Sequence, residues 1–104
     1  MNTDTLQYAE ALSEEIISLR EGLHQIPELG NKEYETSSFV ASYLEKLGLE
    51  VEHFLETAVV GTLRHGEGPV IAFRADMDAL PLEEKTGCPY ASTHSGIMHA
   101  CGHD

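Results

Sequence analysis

Six consecutive positions hold the densest chemistry in this sequence. His99-Ala100-Cys101-Gly102-His103-Asp104 contains two imidazoles, a thiol and a carboxylate. In extended chain, alternate side chains point to one side, so His99, Cys101 and His103 share a face and can converge on one ion. Thiolate and imidazole are borderline-soft donors, suited to Zn²⁺ and its first-row neighbours rather than Mg²⁺ or Ca²⁺. Gly102 lets the backbone bend enough for ligands two residues apart to share a metal. Asp104, beside an imidazole, is the type of group that accepts the second ring N–H of a ligating histidine. Any one of these histidines alone is explained by a polar surface loop; the cluster together favours a metal. It is also incomplete. A structural zinc site takes four protein ligands, and no second Cys/His pair stands upstream at zinc-finger spacing. The spare histidines are His94, His53 and His65.

A second constellation is Arg74-Ala75-Asp76-Met77-Asp78-Ala79-Leu80-Pro81. Asp76 and Asp78 follow an apolar run and lie on one side of an extended chain. Sites in α/β sheets gather beyond the carboxyl ends of strands. Carboxylates there can ligate a metal or orient a ligating histidine. The plainer alternative is two solvated acids closing a strand, with Arg74 pairing one of them. A Cys101 nucleophile ranks lower, because sequence neighbours such as His99 and His103 rarely have nucleophile-to-base geometry. Cys88 reads as a small buried side chain. Glu83 and Glu84 read as a solvated acidic pair, and His24 as a partly buried or helix-capping histidine. The sequence has no phosphate-cradling glycine loop, zincin helix motif or EF-hand pattern.

The elements that must position these residues are legible from periodicity. Leu12, Ile16, Leu19, Leu23 and Ile26 form the stripe of an amphipathic helix, capped by Thr3 or Asp4 and stopped by Pro27. A second stripe, Phe39, Val40, Tyr43, Leu44 and Leu47, ends at Gly48. The short link between them makes the helices neighbours. Three strands are then expected: one running from Leu49 to Phe54, one over 58–63 and one over 70–75. The last is a continuous apolar run typical of a strand buried on both faces. His65-Gly66-Glu67-Gly68 would turn the last two into a hairpin. From Asp76 to Asp104 periodicity vanishes, and a stretch that long without elements is expected to be functional.

Composition narrows the function classes. The chain has 104 residues, 6 Lys+Arg against 18 Asp+Glu and a formal net charge of −12. That field repels nucleic acid and anionic membrane but favours cations. With 41% hydrophobic residues there is material for one core, and no apolar run is long enough to span a membrane. Met1-Asn2-Thr3-Asp4 lacks the basic region and apolar run of a signal peptide, and two cysteines do not make a disulfide scaffold. The expected compartment is the cytoplasm.

Four segments resemble the start of a metal-dependent amidohydrolase: Leu23-His24-Gln25-Ile26-Pro27-Glu28-Leu29, Val60-Gly61-Thr62, Arg74-Ala75-Asp76-Met77-Asp78-Ala79-Leu80-Pro81 and Met98-His99-Ala100-Cys101-Gly102-His103-Asp104. That family includes aminoacylases, hippurate hydrolases, N-acetyldiaminopimelate deacetylases and indole-acetyl-amino-acid hydrolases, all related to zinc exopeptidases. The resemblance implies an α/β fold, with two N-terminal helices and three strands forming the first part of a zinc-exopeptidase-like catalytic domain whose helices pack on a mixed sheet. Residues 1–104 would then be the N-terminal portion of one domain, without the family's inserted small domain and C-terminal part.

The resemblance further implies that Cys101 and His103 are metal ligands and that Asp78 is a supporting catalytic acid. Asp76 stands where related peptidases carry a ligating histidine; it joins Asp104 and His99 as a further ligand or a support for one. The implied cofactor is a divalent metal, Zn, Mn or Co, with two ions in the complete enzyme. They would activate a water that attacks the amide carbonyl of an N-acyl amino acid, and a homo-oligomer is compatible with this. No residue here matches the family's general base, so the chain alone is expected to be inactive. Two other classes stay open: a small acidic metal-binding or interaction module without catalysis, and a cysteine hydrolase whose activity would survive chelation.

Overall fold

A computed structural model describes residues 3–104. Met1 and Asn2, on which the reading of the N-terminus partly rests, lie outside the described residues, as does the side chain of Thr3, one of the two expected caps. The expected first helix is two: α1 (Thr3–Ala11) and α2 (Ser13–His24), broken at Leu12 by a turn. Leu12 and Ile16 are half-exposed, and the predicted stripe is only partly buried toward its C-terminal end, at Leu19 and Leu23. Beyond His24 the chain reaches Pro27, which is fully buried and cannot continue a helix.

Helix α3 (Tyr34–Lys46) lies against α2, as the short link requires. A methyl group built on Gly22 would sit 3.4 Å from the Phe39 ring, and the Tyr43 hydroxyl donates to Glu15. Gly48 ends α3 as expected, with φ +90°. The Leu49 N–H bonds Leu44 O at 3.1 Å and the Gly48 N–H bonds Glu45 O at 2.9 Å, the two bonds of a Schellman stop.

The α/β assignment holds, with two antiparallel strands rather than three among the described residues. Strands β1 (Glu50–Phe54) and β2 (Ala58–Thr62) pair from Glu50↔Thr62 to Phe54↔Ala58. The hairpin is therefore β1–β2, not the expected pairing of 58–63 with 70–75. Its three-residue turn, 55–57, holds Leu55 and Glu56 at φ +50° and +71°, left-handed backbone that Asn and Gly adopt more readily. Gly61 faces α3: a methyl group there would lie 3.0 Å from both Leu44 Cδ1 and Leu49 Cδ2.

Residues 70–75 form no ladder. Val70, Ile71 and Phe73 are 95%, 78% and 97% exposed. A strand of this type needs a hydrogen-bonded neighbour and a packed layer on each face. The described residues supply only one hairpin and one helical layer, so the run stays extended and bare. Residues 76–104 are loop, apart from an antiparallel bridge between Leu80 and Met98. Among the described residues, no helix is long and apolar enough to cross a membrane.

Candidate metal centre

The loop is held by residues 25–28, which follow the end of α2. The Gln25 carbonyl accepts from the Thr93 N–H and hydroxyl, the Pro27 carbonyl faces His94 Nδ1 at 2.7 Å, and the Glu28 carbonyl accepts from the Ala79 N–H at 2.7 Å. Around the buried Pro27, two stretches of loop, at Ala79 and at Thr93–His94, dock on one strip. The Leu80–Met98 bridge then brings the Asp-Met-Asp segment beside the segment that ends in Asp104.

All six site residues expected from the sequence line one cleft of about 500 Å³: Asp76, Asp78, His99, Cys101, His103 and Asp104. They do not converge further. Among the described residues, no three His, Cys, Asp or Glu side chains are grouped closely enough to hold a metal ion. Cys101 is an exposed free thiol, and no histidine in the described residues hydrogen-bonds its sulfur. Asp76 is ion-paired with Arg74 at 2.7 Å, both exposed, as the plainer reading of that segment has it. Burial holds the His99 imidazole below its ordinary pKa, against the opposing pull of Asp104 and Asp78. A histidine so biased is neutral over more of the pH range, and neutral imidazole is the ligating form. Thiolate, imidazole and carboxylates around one cleft fit a divalent ion chemically, but the described residues supply no closed ligand set.

Sequence reasoning missed the buried polar groups behind this cleft. Glu84 is not solvated: its side chain is 4% exposed and accepts from the Thr86 hydroxyl, the Ser92 N–H at 2.9 Å and His24. Those bonds, the Thr86 hydroxyl first, hold its carboxyl down at about 2. His24 is equally buried and sits between two carboxylates, Nε2 at 3.0 Å from Glu84 and Nδ1 at 2.9 Å from Asp104. Arg20 adds two bonds to Asp104, from Nε at 3.2 Å and an Nη at 2.8 Å, and lies over the Tyr90 ring. The available signal was an i, i+4 pair, Arg20 and His24, on the polar flank of a helix with no acid to match at that spacing.

Glu28 was also unread. Its carboxylate accepts from the Thr36 N–H and hydroxyl, both at 2.7 Å, and from the Glu35 N–H at 3.0 Å. It caps α3 from outside, because the residue at the cap position, Glu33, makes no such bond. Burial raises its pKa, but the Thr36 and Glu35 bonds outweigh that and leave it below the usual carboxylate range.

Comparisons with known proteins agree with this arrangement. Residues 72–104, which carry both chemical segments, match Peptidase family M20/M25/M40. The chain is 52% identical over 95 residues to the N-acetyl-L-cysteine deacetylase of Bacillus subtilis (89% of this chain, 23% of that protein). It is 54% identical over 92 residues to thermostable carboxypeptidase 1 of Saccharolobus solfataricus (86% of this chain, 23% of that protein). A Bacillus subtilis crystal structure, described as a dinuclear metal-binding peptidase of the M20 family, superposes with a TM-score of 0.82 at 42% identity, covering 90% of this chain and 27% of that one. The chain is thus similar to peptidase family M20/M25/M40 over residues 72–104, and to these relatives over most of its own length. It spans about a quarter of the length of the curated relatives it matches.

Proposed function

We propose that this chain contributes the Cys101–His103 part of the site of a metal-dependent amidohydrolase that cleaves the amide bond of N-acyl amino acids. The observation that carries the reading is the cleft lined by Asp76, Asp78, His99, Cys101, His103 and Asp104. The likeness to a deacetylase of an N-acyl amino acid supports the substrate class. Cys101 and His103 would hold the ion, Asp78 would support it, and Asp76, Asp104 and His99 would ligate it or orient its ligands. A bound divalent ion lowers the pKa of water to about 7 and polarises the amide carbonyl. Zn, Mn or Co suits the donor set, and two ions would match the dinuclear relative. A net charge of −12 supports a small-molecule partner rather than nucleic acid or membrane. Two free thiols suit the reducing cytoplasm.

The test is a graft. With this chain in place of the matching N-terminal quarter of the Bacillus subtilis deacetylase, N-acetyl amino acids are hydrolysed in a metal-dependent way, and Cys101→Ala removes the activity; the 104-residue chain alone shows no turnover. A graft that folds but is inert with Zn²⁺, Mn²⁺ and Co²⁺ overturns the proposal. A second reading is a non-catalytic metal-binding or interaction module, in which the exposed Cys101 thiol and the cleft residues serve binding alone. That reading requires stoichiometric metal binding by the isolated chain together with an inert graft.

A further inference from the structure

The segment 99–104 carries the thiol and both imidazoles of the cleft, yet it is tethered to the rest of the fold through one side chain. Its hydrogen bonds among the described residues are a turn bond from the Asp104 N–H to Cys101 O and those of the Asp104 carboxylate. That carboxylate, 14% exposed, meets His24 and Arg20 from α2, and the far nitrogen of His24 meets the buried Glu84. His24 also packs edge-on against Tyr90, with ring centroids 5.8 Å apart, and lies 6.3 Å from the His99 ring. So a chain of contacts runs from Glu84 through His24 to Asp104, immediately beside His103. Apolar residues of similar volume would generally stabilise such a site as well or better. What a charged, hydrogen-bonded chain adds is one fixed geometry for the group at its end.

We propose that His24, held between Glu84 and Asp104, is a positioning residue for the Cys101–His103 pair, acting through Asp104 to fix the loop that lines the cleft. The metal clause of this inference rests on the amidohydrolase reading; the loop clause does not.

The test uses the 104-residue chain with Asp104→Ala and His24→Gln. The first removes the anchor from the loop side, where disturbance of the core is least. Exchange of the residue-104 amide, the one hydrogen-bonded N–H within 100–104, is expected to speed up by about tenfold or more in both variants, with α3 and the β1–β2 hairpin unchanged. Co²⁺ binding should weaken roughly 10–100-fold, with loss of the thiolate-to-cobalt absorption. Asp104→Asn, which keeps one acceptor oxygen for His24, should recover part of both. Unchanged exchange of that amide in both variants overturns the proposal, and so does uniform acceleration across the chain, which marks a general structural contact. Faster loop exchange together with no thiolate–cobalt absorption in the unaltered chain upholds the positioning role and sinks the metal reading instead.

Discussion

Removing the carboxylate of Glu28 tests how the N-terminus of α3 is held by the segment that precedes it. Thr36 is 2% exposed, so without Glu28 its N–H and hydroxyl lose their acceptor where water cannot replace it. An unsatisfied buried donor costs about 1–3 kcal/mol. The hydroxyl keeps a long contact to Ile26 O at 3.5 Å, and the N–H of the exposed Glu35 can turn to solvent, so both add less. Glu28→Ala should therefore destabilise the chain by about 2–4 kcal/mol. That is a large share of the about 5–15 kcal/mol available to a domain. Glu28→Gln keeps an acceptor oxygen but loses the charge at the helix N-terminus, so its cost should be about 1 kcal/mol. In urea unfolding followed by far-UV circular dichroism, the two variants should separate clearly. Thermal melts should fall by about 4–8 °C for each kcal/mol lost. Equal costs below about 0.5 kcal/mol for both variants would refute the capping argument.

Two further outcomes follow from the same geometry. Gly61→Ala pushes a methyl group against Leu44 and Leu49 at 3.0 Å, and should cost about 1–3 kcal/mol; Leu44→Ala in the same chain should recover part of that loss, as measured by a double-mutant cycle. Glu84 has a folded-state pKa of about 2 against an ordinary 4.5, so its contribution is complete above pH 4.5 and is lost as the pH falls toward 2. Acid unfolding curves of the unaltered chain and Glu84→Gln should therefore converge through that window, and parallel curves would contradict the assignment.

The α3 stripe, the Gly48 stop and the first two strands followed from local rules, because periodicity and glycine conformation act within a few residues; the first stripe, expected as one helix, is split at Leu12. Residues 70–75 show where such rules fail: their apolar run describes a strand that needs neighbours, and pairing is a property of what lies alongside. The site residues were legible by type, since thiol, imidazole and carboxylate announce their chemistry wherever they stand.

Their grouping was not. Asp76 and Asp78 reach the cleft of His99, Cys101 and His103 only because Leu80 pairs with Met98 and the strip around Pro27 gathers the loops. The roles of Glu28, Glu84 and His24 were equally hidden. A sequence of charged residues reads as a solvated surface until tertiary contacts remove the water, and only then must each charge find a partner. Residue chemistry and short-range periodicity were set by the sequence itself; which charges are buried, and against what, was decided by tertiary contacts, 8 residues apart for Glu28 and 60 to 84 apart for Glu84, His24 and Asp104.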